Sequence, residues 1–185
     1  MTRFTTVAVL LFALAQPLQA APVTWAGNGH TYDIITGTTD LTWDQARAAA
    51  EAMGGHLVTI TSEAENNFVA NLVTTQGTPN LERYWLGGYQ TDPNGLGVEP
   101  AGSWAWVTGE PWSYTNWATG EPNNGAGGTQ HFLHFYPAPP DWDDMENRAG
   151  VMNSYVVEYR APEPTTLALL GLGLAGLAAS RRRKQ

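Results

Sequence analysis

The chain contains no cysteine. That excludes disulfides, zinc–thiolate sites and cysteine nucleophiles, and it leaves the chain to hold together by packing alone. Positive charge is nearly as scarce. Nine Lys and Arg stand against seventeen Asp and Glu, and five of the nine lie at the ends, as Arg3 and Arg181-Arg182-Arg183-Lys184. Residues 21–160 carry Arg47, Arg83, Arg148 and Arg160 against sixteen acids, a formal charge of −12. Such a surface lacks the basic patch that nucleic acid requires, and it suits a cation, although a solvated acidic face accounts for most of these charges. Long apolar runs are missing too. Thr165–Ala179 would reach about 22 Å as a helix, short of a roughly 30 Å hydrocarbon core. There is no internal repeat, and no Ser/His/Asp or paired-carboxylate constellation, which argues against an enzyme.

The 185 residues, less removable ends, amount to one domain with room for a substantial core. Residues 1–20 read as a secretory signal: Arg3 is a basic start, Val7–Leu14 is apolar, and Leu18-Gln19-Ala20 fits a small-residue cleavage pattern. A buried first helix is the alternative, but the run has no polar face. Within 21–160, His30–Ile35 alternates as a strand. Thr42 caps a helix to about Met53, with Trp43, Ala46, Ala50 and Met53 on one stripe and Gly54-Gly55 ending it. Leu57–Ile60 is a short strand. Ser62 and Glu65 stand three apart as a capping box, opening a second helix to about Thr74 with Phe68, Val69 and Leu72 buried. Tyr84–Tyr89, Ser103–Val107, Phe132–Phe135 and Tyr155–Tyr159 read as strands. Residues 109–130 have no period and are rich in Gly, Pro, Asn and Trp. Ordered loops of that length are usually functional, and Trp112, Tyr114 and Trp117 argue for packing. Two helices, short strands and a long structured loop give an α+β domain.

Two acidic clusters sit in turn-forming sequence: Glu121-Pro122-Asn123 and Trp142-Asp143-Asp144. Together they supply three carboxylates and an amide, the hard-oxygen set that Ca²⁺ takes in flexible six- to eight-fold geometry. Either cluster alone reads better as ordinary polar turn residues. His131 and His134 stand three apart on a strand and so point to opposite faces; they read as strand-surface histidines rather than a zinc pair. Asp141 reads as a turn residue.

The order of motifs resembles the C-type lectin-like domain over roughly residues 28–160. The resemblance rests on Trp43 and Ala46, Gly55-His56-Leu57-Val58-Thr59-Ile60, Ser62/Glu65/Phe68 and Tyr84-Trp85-Leu86-Gly87-Gly88. It continues through Trp104-Ala105-Trp106, Gly109, Tyr114-Thr115-Asn116-Trp117, Gly120-Glu121-Pro122-Asn123-Asn124, Trp142-Asp143-Asp144 and Val156-Val157-Glu158-Tyr159. It implies Ca²⁺ as cofactor, with Glu121, Asn123, Asp143 and Asp144 as ligands, Pro122 in a cis peptide and Trp142 packed in the core. The fifth ligand position falls on Gln130 where a carboxylate is usual, and Asp143 stands where an amide is usual, so the three carboxylates are kept. A bound sugar would meet Glu121, Asn123, Gln130 and Asp143, with Trp112 free to stack on its face. The Gln130/Asp143 exchange reverses the polarity of one acid–amide pair, so a different pair of vicinal hydroxyls is expected from those Glu-Pro-Asn alone suggests. Asn124 stands where some members place Asp for an auxiliary calcium. The family's disulfides are absent; their positions fall near Ala50 and Val157, and near Phe132 and Asn147.

The C-terminus has its own resemblance. Pro162-Glu163-Pro164, the apolar Thr165–Ala179 and the basic end resemble the PEP-CTERM sorting signal of Gram-negative bacteria. That implies an exosortase-type processing enzyme as partner, a transient membrane contact through the tail, and an association with exopolysaccharide. A weak transmembrane anchor is the alternative for the same segment. The chain is therefore expected to be an exported, calcium-dependent carbohydrate-binding protein of the cell envelope or extracellular matrix. The alternative is a calcium-independent module of the same fold that binds a protein, ice or another surface.

Overall fold

A computed structural model describes residues 20–37, 41–77, 83–92, 102–125, 127–136, 140–150 and 152–161. The signal-type segment before residue 20 and the Pro-Glu-Pro tail lie outside the described residues. Among those described, no helix is long and apolar enough to cross a membrane. The elements run β1 (Val23–Thr24), β2 (Thr31–Ile35), α1 (Trp43–Ala52), β3 (His56–Leu57), α2 (Glu63–Gln76), β4 (Tyr84–Gln90), β5 (Trp104–Trp106), β6 (Gln130–Phe135), β7 (Trp142–Glu146) and β8 (Tyr155–Tyr159). One mixed sheet is ordered β1-β2-β8-β4-β6-β7, with β3 on β8 and β5 on β4. The pairs are antiparallel except β4 with β8, which meet in parallel at Trp85 and Tyr155.

Both helices form where expected, but their caps exchange roles. At α1, Thr42 accepts from the Gln45 amide while the Gln45 side chain accepts from the Thr42 amide, a complete capping box. At α2, Ser62 accepts from the Glu65 amide, yet the Glu65 carboxylate does not return to Ser62. It turns inward to the Thr61 amide at 2.8 Å and the Tyr32 hydroxyl at 2.6 Å. The expected second half of that box is replaced because the core demands the carboxylate. Helix α1 ends as Gly54-Gly55 predicts. Gly54 has φ +82, its amide donates to Glu51, and the Gly55 amide donates to Ala50, the paired bonds that close a helix on a left-handed glycine. Met53 leaves the expected buried stripe: it is the C-cap residue and 42 % exposed. The Leu57–Ile60 strand is recorded only to Leu57. Val58 nevertheless stitches two strands, donating to Val156 O and accepting from the Gly87 amide.

Two apolar clusters carry the fold. One gathers Tyr32, Ile60, Val69, Leu86, Leu133, Phe135 and Trp142; the other gathers Trp43, Ala46, Ala50, Leu57, Trp85, Tyr155 and Val157. Ala50 and Val157, where a disulfide is missing, are both fully buried in the second cluster. The other missing bridge is replaced differently. Phe132 packs on Trp43 at 4.8 Å, and Asn147 donates to Asp44 on α1 at 2.6 Å and accepts from the Asp44 amide at 3.4 Å.

Candidate functional site

The long loop is positioned by tryptophan packing and backbone stitching. Trp112 packs against Trp106 at 4.4 Å and Trp104 at 5.7 Å, and Trp117 lies edge-on to Trp142. The Ala118 amide donates to Trp142 O, and the Trp142 amide donates to Asn116 O. Trp142 is fixed in turn by its indole N–H, which donates to Asn66 on α2 at 2.8 Å. With the first residue of β7 held on both sides, the next two, Asp143 and Asp144, are delivered under the loop. Trp112, expected as a stacking face for a sugar, has its ring contacts with Trp104, Trp106, Trp117 and Trp142.

Glu121, Asp143 and Asp144 converge, with one carboxylate oxygen of each within 4.8 Å of the others. The Glu121–Pro122 peptide is cis. Asp144, fully buried, fastens the loop: one oxygen accepts from the Asn123 amide at 3.0 Å and the other from the Asn124 amide at 2.7 Å. Asn123 Oδ1 accepts from the Gly125 amide at 2.6 Å, an Asx turn that rounds the loop. Asn124 takes φ +57, a left-handed conformation Asn tolerates, and its side-chain oxygen accepts from the Gln130 amide. The Gln130 side chain lies against Gly125, where a Cβ would stand 2.7 Å from Oε1. The Gln130 amide nitrogen faces Met145 Sδ at 3.6 Å. All five expected ligands are thus gathered in one region, three as a compact carboxylate group and two at its margin.

Not every acceptor there is met by a donor. Glu121 Oε2, Asp143 Oδ1 and Gln130 Oε1 are buried with no hydrogen-bond partner. Burial and the neighbouring Asp143 and Asp144 carboxylates push Glu121 up to about 7. Burial also raises Asp144, against the pull of the Asn123 and Asn124 amides. Burial acts on Asp143 in the same direction, but His134 and a hydrogen bond from Glu121 carry it below the usual carboxylate range. Among the described residues, no arginine relieves the cluster. Arg47 pairs with Glu51, Arg148 with Glu146, Arg83 lies over the Tyr136 ring, and Arg160 follows β8. Orphaned, acceptor-only oxygens beside three carboxylates fit a hard dication.

His134 is a correction. It is 1 % exposed rather than on the strand surface, because Trp85 closes edge-on over it. Its Nδ1 lies 2.7 Å from Phe135 O and its Nε2 lies 3.4 Å from Asp143 Oδ2. His131 is partly buried on Gln90 at 2.7 Å. Asp141 is exposed and accepts from Asn116, as a turn residue should. Asn124 was singled out only for an auxiliary cation; its amide on Asp144 gives it a part in the main site.

Three converging carboxylates under a long loop, on a mixed sheet with two helices, define the class, and the comparisons give the family. The lectin C-type domain model matches residues 39–147, and the chain belongs to that family. The PEP-CTERM protein-sorting motif matches residues 160–184. The chain is 34 % identical over 122 residues to mouse lithostathine-2, covering 65 % of each chain. It is 35 % identical over 132 residues to the C-type lectin lectoxin-Lio1 of Erythrolamprus poecilogyrus, covering 67 % of this chain and 74 % of that one. The matched stretch thus spans just under two thirds of the length of lithostathine-2. Among solved structures, the cow C-type carbohydrate-recognition domain of CD23 superposes with a TM-score of 0.58 at 24 % identity, covering 78 % of this chain and 99 % of that one. A calcium-independent type II antifreeze protein superposes at 0.56 with 24 % identity, covering 77 % and 98 %. At these identities the structures establish the fold. Family and fold are those of non-enzymatic binding domains.

Proposed function

We propose that this protein binds carbohydrate through a calcium ion held by Glu121, Asn123, Gln130, Asp143 and Asp144. The observation that carries the reading is the set of buried acceptors on Glu121, Asp143 and Gln130 without donors. Their desolvation is costly when unmet, and a cation with the hydroxyls of a sugar meets them together. The calcium supplies Lewis acidity toward sugar hydroxyls. Asp144 fastens the loop through two backbone amides, Glu121 and Asp143 accept from hydroxyls, and the amides of Asn123 and Gln130 can donate. The reversed acid–amide order at Gln130 and Asp143 favours a different vicinal diol from the one Glu121 and Asn123 alone suggest. With no Arg paired to the carboxylates among the described residues, neutral hexoses are favoured over uronates, which bring a further negative charge and one hydroxyl fewer. Residues 1–20 and the PEP-CTERM tail support export to the envelope or extracellular matrix of a Gram-negative cell. The tail tethers the chain to the membrane until an exosortase-type enzyme processes it, and exopolysaccharide is the nearest glycan.

The fold alone does not demand calcium, as the similarity to a calcium-independent antifreeze protein illustrates. Calorimetry of the full-length chain with Ca²⁺, then with a panel of neutral hexoses with and without EDTA, tests the proposal. Calcium heat followed by EDTA-sensitive hexose binding is expected. No calcium heat, or sugar binding indifferent to EDTA, overturns it and favours the calcium-independent module that binds a protein or other surface.

A further inference from the structure

We infer that Asn66, on helix α2, is a positioning residue for the cation site, setting through Trp142 how the two acidic clusters meet; the inference rests on the calcium reading above. Calcium takes its oxygens at about 2.3–2.6 Å. The site therefore depends on how a loop residue, Glu121, is placed against two strand residues, Asp143 and Asp144. Trp142 governs both placements. It directly precedes the two aspartates in β7. Its carbonyl accepts from the Ala118 amide at 2.8 Å, and Ala118 O in turn accepts from the Glu121 amide at 3.0 Å. Whatever fixes Trp142 thus fixes the spacing of all three carboxylates.

Asn66 holds Trp142 by both ends of its amide. It is 1 % exposed. Its Oδ1 accepts from the Trp142 indole N–H at 2.8 Å, and its Nδ2 donates to Pro140 O at 3.1 Å. An indole offers one donor and no acceptor, so this bond is the polar anchor of the ring. The other contacts of the ring are with Trp106, Trp112, Tyr114 and Trp117, which fill space without fixing a direction. Pro140 O also accepts from Asn116 Nδ2 at 2.9 Å, so the entry to β7 is gripped at one atom from helix and loop together. The Tyr114 hydroxyl on the loop bonds Asn66 as well. The preceding residue supplies the contrast. Glu65 is as deeply buried on the same helix, at 2 %, yet it bonds Tyr32, Asn28 and Thr61, none of them in the loop or in β7.

The test is calcium calorimetry on the full-length chain carrying Asn66→Leu, Trp142→Phe, both together, or Glu65→Ala. Leu keeps the volume of Asn66 and removes both polar ends. It is expected to lose about tenfold in calcium affinity, within the range that residues along such a network command. Glu65→Ala is expected to stay within about twofold. In the Trp142→Phe background, where the indole donor is already gone, Asn66→Leu is expected to cost less than about twofold, because coupled residues are non-additive. Wild-type affinity in Asn66→Leu overturns the inference. A loss as large in Glu65→Ala overturns it too, since destabilisation alone would then explain the effect, and so does an equal loss from Asn66→Leu in both backgrounds. If a variant does not fold, hydrogen exchange on the unaltered chain with ¹⁵N-labelled tryptophan decides. Calcium is expected to slow exchange of the Trp142 indole N–H more than that of Trp43 and Trp85, whose indoles bond Leu86 O and Leu41 O away from the loop. Equal slowing of all three reports global stability only and overturns the inference. If the wild type gives no calcium heat, the calcium reading falls, and this one with it. If the wild type binds calcium and Asn66→Leu matches it, only this one falls.

Discussion

Glu65 and Glu158 are each 2 % exposed, almost as deeply buried as Asp144, yet the two acidic groups of this domain are built oppositely. Around Glu65 and Glu158 the oxygens are met. Glu65 accepts from Tyr32, Asn28 and Thr61, while Glu158 accepts from the Thr59 amide at 2.8 Å and contacts His30 Nδ1 at 2.6 Å. Around Glu121, Asp143 and Gln130, three buried oxygens have no donor. The first group fastens the strand β2, helix α2 and strand β8 to one another and needs nothing further. The second leaves acceptors open to a ligand from outside. Burial of a carboxylate therefore does not by itself single out a candidate site; unmet oxygens beside converging carboxylates distinguish this one.

Crossing the two groups gives the largest expected effects. Asp144→Ala is expected to abolish calcium heat, because it removes a carboxylate and releases the Asn123 and Asn124 amides. Glu65→Ala should leave calcium affinity within about twofold, yet cost about 3 kcal/mol in urea denaturation, since it strands the Tyr32, Asn28 and Thr61 donors. Calcium loss in Glu65→Ala, or retention in Asp144→Ala, would break the contrast. EDTA comes next. At calcium about 100-fold above its Kd the linkage is worth about 2.7 kcal/mol, or roughly 5–10 °C in Tm for a domain of this size. Limited proteolysis should then cut within residues 109–130, where the site loop lies, and spare the strands around Glu158.

The response to pH should follow Glu121. Its carboxyl is raised to about 7 by burial and by the Asp143 and Asp144 charges. The metal-free fold therefore holds that proton more tightly than the unfolded chain does. This contribution to stability is present at acid pH and is lost as pH rises through about 7. Calcium must displace the proton, so its affinity should fall as pH drops below about 7 and level off above it, measured by calorimetry across pH 5.5–8.5. The smallest effect is Asp44→Ala. It breaks the Asn147 tie that stands where a disulfide is missing, and about 1 kcal/mol in chemical denaturation is expected, with calcium binding unchanged.

Much of this was legible along the chain because it depends on local rules. Thr42, Gly54-Gly55 and the apolar stripe defined α1, and Glu121-Pro122-Asn123 with Trp142-Asp143-Asp144 named the three carboxylates that converge. Two features were not legible for one reason: each depends on a partner distant in sequence. Glu65 reads locally as half of a capping box, but Tyr32, thirty-three residues earlier, claims its carboxylate. His134 reads as a surface residue until Trp85 covers it.

The sequence by itself determined the family, the absence of any covalent cross-link and the identity of the acidic residues, since composition and motif order are properties of the chain alone. The tertiary structure decided which acids are satisfied and which are not. That distinction depends on which backbone amides and side chains the fold brings within hydrogen-bond reach. Glu158 finds the Thr59 amide across ninety-nine residues, while Asp143 meets His134 and Glu121 and keeps one buried oxygen without a hydrogen-bond partner.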